Sequence, residues 1–191
     1  MRRTRDVAAM AAAIAALAWP ADPARTFPEA PPWEAAGDEG CTQCHFDGPA
    51  IRSSDALAIV GLPDEVVPAG RYPLTVRLAD ERALRVGFLL TARHGDRPAG
   101  TFSSEDERVE VSGAQARSTE AGSTPVAPGV AEWRVTWRAP DAIVAPIELE
   151  LWTNAGNDDR SPFGDTVHVK RFAIGTAQSV EGHSGSPRTT E

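Results

Sequence analysis

The sequence of 191 residues is poor in sulfur and lacks the short motifs of common enzymes. It has two cysteines, Cys41 and Cys44, and two methionines, Met1 and Met10. It contains no G-x-S-x-G, no H-E-x-x-H and no glycine-rich phosphate-binding loop. Nothing in it therefore indicates a hydrolase or a transferase, and we expect a protein that is not an enzyme.

Basic residues are also in deficit, and no long apolar run follows the N-terminus. The chain has 19 Lys and Arg against 27 Asp and Glu, which gives a formal net charge of −8 at pH 7. An acidic protein is a poor ligand for polyanions, so we do not expect nucleic acid or an anionic membrane surface as a partner. Because a second hydrophobic segment is absent, we predict no membrane span in the mature chain.

Residues 1–18 have the three parts of a secretory signal peptide. The positive start MRRTR is followed by an apolar stretch at residues 7–17 and by the small-x-small cleavage sequence Ala16-Leu17-Ala18. This stretch is short and rich in alanine for a membrane-spanning helix. A retained amphipathic helix is the alternative. We predict export, and hence a secreted or periplasmic protein.

The rest of the chain changes composition in four steps. Residues 19–36 carry five prolines and predict an extended spacer, since proline interrupts helices. Residues 37–50 hold both cysteines. Residues 55–175 alternate apolar and polar positions between turn sequences, and we expect one β domain there. Residues 176–191 are small and polar and predict a disordered tail.

Four runs within residues 55–175 alternate with a period of two, as strands do when they cover a core on one side. They lie at residues 72–78, 84–92, 133–137 and 147–151, and shorter runs lie at residues 56–60, 108–112 and 167–174. Gly- and Pro-rich turns such as HGDRPAG separate them. The pattern predicts an all-β protein, an antiparallel immunoglobulin-like β-sandwich of about seven to nine strands, with tryptophans in its core.

Several stretches resemble the bacterial Reeler-like domains of the choice-of-anchor V family. They are GLPDEVVPAGRYPLTV, RVGFLLTAR, AGTF, EWRVTWRAP and TNAGNDDRSPFGDTVHV. The resemblance covers about residues 38–174, and its most specific parts are W-x-x-x-W-x-A-P at 133–140 and A-G-N…G-D at 155–165. It implies a Reeler-like β-sandwich in an exported, often surface-attached protein. Several members of that family similarly have a cysteine-pair motif just before the sandwich.

The stretch GCTQCH contains a C-x-x-C-H motif, the attachment signature of c-type haem. One helical turn puts Cys41 and Cys44 on the same face, where both thiols reach the vinyl groups of one porphyrin. His45 follows as the proximal iron ligand. Such attachment occurs outside the cytoplasmic membrane, in agreement with the signal peptide. We expect one covalent haem c per chain, serving electron transfer or haem-based redox sensing with an unidentified redox partner protein.

Other interpretations of the cysteine pair stay open. In an oxidising compartment Cys41 and Cys44 could form a disulfide, and the protein would then be a haem-free extracellular binding or adhesion module. Zinc held by Cys41, Cys44 and His45 would need a fourth ligand, which the motif does not supply. A thioredoxin-type redox pair would need a βαβ context, which the sequence does not predict.

The sixth ligand of the iron is a separate question. Both methionines lie in the predicted signal peptide, so His/Met ligation within the mature chain is excluded if cleavage occurs. The remaining candidates are His94 in a predicted turn, His168 in the last predicted strand and His183 in the tail. A site that is open, or that is ligated by water or a partner, is the alternative.

The segment NAGNDDRSPFGD is a candidate calcium site. It concentrates the oxygen-bearing side chains of Asn154, Asn157, Asp158, Asp159 and Asp165 within twelve residues. It lacks the residue order of an EF-hand loop. Because Asn, Asp and Gly are also the ordinary residues of a long turn, the plain turn is the favoured interpretation.

Overall fold

The computed structural model of the protein describes Trp33, residues 39–143 and residues 146–176. The predicted signal peptide, the spacer apart from Trp33, and the predicted tail apart from Thr176 lie outside the described residues. His183 lies outside them as well. Within the described part of the chain, no helix is long and apolar enough to cross a membrane.

Short 3-10 helices lie at Gly40–Gln43 and Ala121–Ser123, and the other regular elements of the described residues are strands. The strands, numbered β1 to β12 in chain order, are Ile51–Arg52, Leu57–Val60, Glu65–Val66, Arg71–Ala79, Arg85–His94, Arg97–Pro98, Thr101–Ser103, Val109–Ser112, Gln115–Ser118, Val130–Arg138, Ile147–Gly156 and Thr166–Thr176. The all-β prediction is confirmed. The described part has more than the predicted seven to nine strands because several are two to four residues long, too short to show alternation.

The strands form two sheets that pack face to face. The larger sheet has the order β1-β12-β11-β5-β9-β8, with β3 also beside β12 and β6 beside β5. The smaller sheet has the order β2-β4-β10-β7. All pairings between these strands are antiparallel except those of β1 and β3, which run parallel to β12. The predicted antiparallel β-sandwich is therefore present.

The main core lies between the two sheets and is made by the predicted alternating positions. Leu74, Val76 and Leu78 of β4 and Trp133, Val135 and Trp137 of β10 face the buried side chains of β5 and β11. The indole N–H groups of Trp133 and Trp137 donate to the carbonyl oxygens of Gly122 and Ala99, at 2.8 and 3.0 Å. Buried tryptophans need such partners, and these two are structural.

One predicted core position is wrong, because Leu84 precedes β5 and its side chain is 63% exposed. The chain enters the strand only at Arg85, so the alternation does not extend back to Leu84.

The outer face of the larger sheet carries a second, smaller cluster. Leu89, Trp152, Val167 and Val169 are buried there together with Cys41, and Trp33 and Ala50 pack against them. Period-two alternation assigns Leu89 to a polar face. It is fully buried because it packs in a cluster with Cys41, against which Trp33 and Ala50 also pack. The cysteine motif is therefore part of the packed structure.

Candidate functional site

The C-x-x-C-H motif forms one tight turn on the outer face of the larger sheet. The backbone N–H groups of Cys44 and His45 both donate to the carbonyl oxygen of Cys41, at 3.3 and 3.0 Å. The 3-10 helix Gly40–Gln43 ends in this turn. The local conformation is the single helical turn that the motif predicts.

Gly40 allows the backbone of this turn to contact Trp152. Its φ is +47°, a left-handed conformation that favours glycine, and an added Cβ would clash with the indole ring of Trp152. The turn therefore packs its backbone directly on Trp152. The indole N–H of Trp152 donates to Glu150 Oε1 at 2.8 Å, and Arg171 Nε donates to Glu150 Oε2 at 2.6 Å. This largely buried Glu150 thus holds the ring on which the motif lies.

The two cysteines have different environments. Cys41 is 8% exposed and lies in the outer cluster, whereas Cys44 is partly exposed, and both are free thiols. The disulfide of the alternative interpretation is thus not formed in this structure. Burial, together with nearby Cys44, raises the pKa of the Cys41 thiol to about 12. This apolar setting disfavours the thiolate that a redox pair needs. Within the described residues, Cys41, Cys44 and His45 do not form a group arranged to hold a metal ion.

His45 has a partner that lies 120 residues away in sequence. Its Nδ1 is 2.7 Å from Asp165 Oδ2, and a carboxylate can only accept, so Nδ1–H donates. The side chain of Asp165 is 5% exposed, and that of His45 is 29% exposed. Among the described residues, Nε2 of His45 makes no hydrogen bond. The second ring nitrogen is therefore available as a ligand.

Asp165 is itself held in place by two neighbours. Asn154 Nδ2 donates to Oδ2 at 3.1 Å, and the backbone N–H of Asn157 donates to Oδ1 at 3.3 Å. In the sequence, Asp165 stands out only as a member of the candidate calcium loop, and its contact with His45 is not predicted. No local pattern links two residues so far apart. The only signal is that Asp165 ends the A-G-N…G-D string.

A cavity of about 550 Å³ opens beside the motif turn. Its lining includes Thr42, Phe46, Pro49, Ala50, Arg52 and Trp152. The volume lies within the range of about 300–1,000 Å³ that is usual for cofactor and ligand pockets. Phe46 is 59% exposed and meets the ring of Phe163 edge to face, with the ring centroids 5.5 Å apart. The aromatic side chains in the lining of the cavity are Phe46 and Trp152, and none of Cys41, Cys44 and His45 lines it.

The structure does not bring His94 to His45. In the pairing of β5 with β11, Gly87 lies opposite Asn154, which contacts Asp165. His94 is seven residues further along β5, about 23 Å at the usual rise of a strand. The two histidines thus belong to opposite ends of the larger sheet.

His168 has both ring nitrogens within hydrogen-bonding distance of a partner, and the array is buried. Nε2–H donates to Asp80 Oδ2 at 3.1 Å, and the hydroxyl of Ser54 donates to Nδ1 at 2.9 Å. Sequence patterns did not indicate this Ser-His-Asp arrangement. Ser54 is 5% exposed and His168 3%, so a substrate cannot reach the hydroxyl. The array links the end of β4 in the smaller sheet to β12 in the larger one. Its role is therefore structural.

Asn157 and Asp159 of the candidate calcium loop use their side-chain oxygens in hydrogen bonds within the loop, whereas Asn154 Oδ1 is buried without a partner among the described residues. Asn157 Nδ2 donates to Asp159 Oδ2, and Asp159 Oδ1 accepts from the backbone N–H of Ser161. Within the described ranges, no group of three or more His, Cys, Asp or Glu side chains is arranged to hold a metal ion. These hydrogen bonds are those of a plain turn built from Asn and Asp.

Two solved structures share this fold at low sequence identity. The reeler domain of human F-spondin superposes with a TM-score of 0.50 at 18% identity, covering 69% of this chain and 95% of that chain. The Reelin-N domain of F-spondin superposes with a TM-score of 0.53 at 17% identity, covering 71% of this chain and 96% of that one. The fold is therefore Reeler-like.

No family model matches the sequence, and no curated protein matches it. The likeness to choice-of-anchor V domains accordingly stays a resemblance.

Proposed function

We propose that this protein is an exported c-type haem protein in which Cys41 and Cys44 form the thioether bonds and His45 is the axial iron ligand. The observation that carries the proposal is the hydrogen bond from His45 Nδ1–H to the buried carboxylate of Asp165. Histidines that bind metal commonly donate their other ring N–H to a carboxylate or carbonyl, which fixes the tautomer and the ring orientation. Here that hydrogen bond leaves Nε2 to bind the iron.

The environment of the cysteines is compatible with thioethers. The apolar cluster raises the pKa of Cys41 to about 12 because burial disfavours a charged sulfur. A thioether sulfur is neutral, so this desolvation cost does not apply to it. The same burial makes Cys41 a poor nucleophile in the folded chain. We therefore expect haem attachment to precede folding of the motif turn onto Trp152.

Bound haem supplies one-electron redox chemistry, and the residues of the chain hold and tune it. The proposed role is electron transfer or haem-based redox sensing outside the cytoplasm, with a redox partner protein and without conversion of a substrate. The sixth coordination position is proposed to be open, or filled by water or a partner. Both ring nitrogens of His168 are engaged, and His94 lies at the far end of β5.

The test is expression of the full chain, from its own N-terminus, together with the c-type maturation machinery. A covalent haem adds about 0.6 kDa to the intact mass. It stays on the protein during acid extraction and gives a reduced pyridine haemochrome spectrum. The matched control is the double variant Cys41→Ser, Cys44→Ser, which keeps His45 and Asp165. We expect haem on the wild-type chain and none on the control.

Colourless exported protein with the mass of the bare chain would refute the proposal. If that mass were lower by two hydrogens, Cys41 and Cys44 would be paired. The alternative of a haem-free binding or adhesion module would then hold.

A further inference from the structure

We propose that Asp165 is a positioning residue that fixes the His45 tautomer and holds the haem reduction potential low. This inference rests on the proposed haem attachment and adds the tuning of that site. It concerns a contact that neither the C-x-x-C-H motif nor the fold alone requires, because the motif is complete without Asp165.

The geometry fits a fixed partner. Asp165 reaches His45 at 2.7 Å, and the amide of Asn154 and the backbone N–H of Asn157 accompany His45 as donors to the same carboxylate. Three N–H groups thus converge on one carboxylate and fix its position. The carboxylate belongs to the strand-entry segment before β12 and the amide to β11, so two elements of the sandwich set its position.

The electronic consequence follows from charge. A buried carboxylate that accepts the Nδ1 proton raises the electron density on the imidazole and makes Nε2 a stronger donor. A stronger donor stabilises the oxidised, more positively charged iron over the reduced iron. The reduction potential is consequently lower than it would be with a neutral acceptor on Nδ1.

The variant Asp165→Asn tests this directly, because it keeps the shape of the side chain and removes its charge. The matched control is Asp158→Asn, since Asp158 is an exposed carboxylate of the same loop. Its positive φ of 61° is tolerated by asparagine. We expect Asp165→Asn to shift the reduction equilibrium at least tenfold toward the reduced protein, which is 59 mV for a one-electron couple. Asp158→Asn should shift it much less.

A second measurement needs neither haem nor a folded variant. In the haem-free wild-type chain, the ¹⁵N NMR signals of the His45 ring in mildly alkaline buffer report which nitrogen carries the proton. We expect the proton on Nδ1, where Asp165 accepts it. A proton on Nε2 would overturn the inference.

The experiments distinguish failure of the proposed haem attachment from failure of the proposed role of Asp165. If no haem is found on the wild-type chain, the proposed function fails, and the tautomer measurement alone decides the role of Asp165. If haem is attached in all three proteins and Asp165→Asn shifts the potential no more than Asp158→Asn does, the function stands. The tuning role of Asp165 is then wrong.

Discussion

At the scale of single residues, Cys41 and Cys44 are chemically unequal although only two residues separate them in the motif. Cys41 lies in the outer cluster with a pKa raised to about 12, and Cys44 is partly exposed. In the haem-free folded chain at pH 8, we expect Cys41 to react with iodoacetamide at least about a hundredfold more slowly than a free thiol, because its thiolate is scarce. Peptide mass spectrometry over time measures this rate, with unfolded protein as the control. Rapid labelling of Cys41 in the folded chain would contradict the burial.

The surroundings of Asp80 change the pKa of its carboxyl, and this leads to a second prediction at the scale of residues. Burial alone would raise the pKa of its carboxyl, but hydrogen bonds from the side chain and backbone of Arg82 and from His168 lower it below the ordinary value of 3.8. A lowered pKa in the folded state stabilises the protein above pH 3.8, and this contribution is lost as the pH falls through the folded value.

Asp80→Asn therefore has an expected cost of about 1–3 kcal/mol in the free energy of unfolding at neutral pH, since it weakens a buried network. The difference from the wild type is expected to shrink as the pH falls below 3.8. Urea unfolding across this pH range measures both, and Asp96→Asn in the exposed turn after β5 is the control. A difference that grows on acidification would contradict the assignment.

The residues of the site divide by how far their signals reach along the chain. Cys41, Cys44 and His45 are candidates from the sequence alone because the C-x-x-C-H motif occupies five consecutive positions. The contacts of His45 with Asp165 and of His168 with Ser54 and Asp80 span 88 to 120 residues, and they depend on the sheet register. A sequence pattern of period two fixes which face a residue occupies, and it does not fix which distant residue lies opposite.

At the scale of elements, the motif turn is held closed by the contact of its backbone with Trp152. Gly40→Ala puts a side chain into the indole and strains a left-handed position, at a cost of about 1–3 kcal/mol for the backbone alone. We expect the turn to open more often and Cys41 to be labelled by iodoacetamide at least about ten times faster, while the sandwich stays folded.

The matched control is Gly48→Ala, where an added Cβ has nothing within 4 Å. It should leave the labelling rate of Cys41 unchanged. Equal rates in wild type and Gly40→Ala would show that the turn is not seated on Trp152.

The long strands illustrate what alternation can and cannot predict. Residues 72–78 and 133–137 lie within β4 and β10 with the expected inner faces, because their outer faces are half-buried or exposed. In β5 and β11 the alternation hides a second apolar surface, since Leu89 and Trp152 lie on the outer face in the cluster that contains Cys41. Because the residues that cover Leu89 and Trp152 come from outside the predicted sandwich, the alternation alone does not assign these two residues to a core.

At the scale of the whole molecule, the architecture is a Reeler-like sandwich whose larger sheet is packed on both sides. The inner side carries the main core, and the outer side carries the C-x-x-C-H turn with Trp33 and Ala50 beside it. The proposed haem site is therefore built from the start of the described chain and from β11 and the segment before β12. We expect the contact between Asp165 and the iron-binding His45 to need the folded sandwich, whereas the covalent attachment does not.

The most direct measurement of this account is the mass of one tryptic peptide. Cleavage after Arg25 and Arg52 releases residues 26–52, which contain Cys41, Cys44 and His45 and no other Lys or Arg before Arg52. From protein exported with the c-type maturation machinery, we predict this peptide with about 0.6 kDa added and with haem absorbance. The same peptide with unmodified or mutually oxidised cysteines, and no haem-bearing peptide in the digest, would contradict the account.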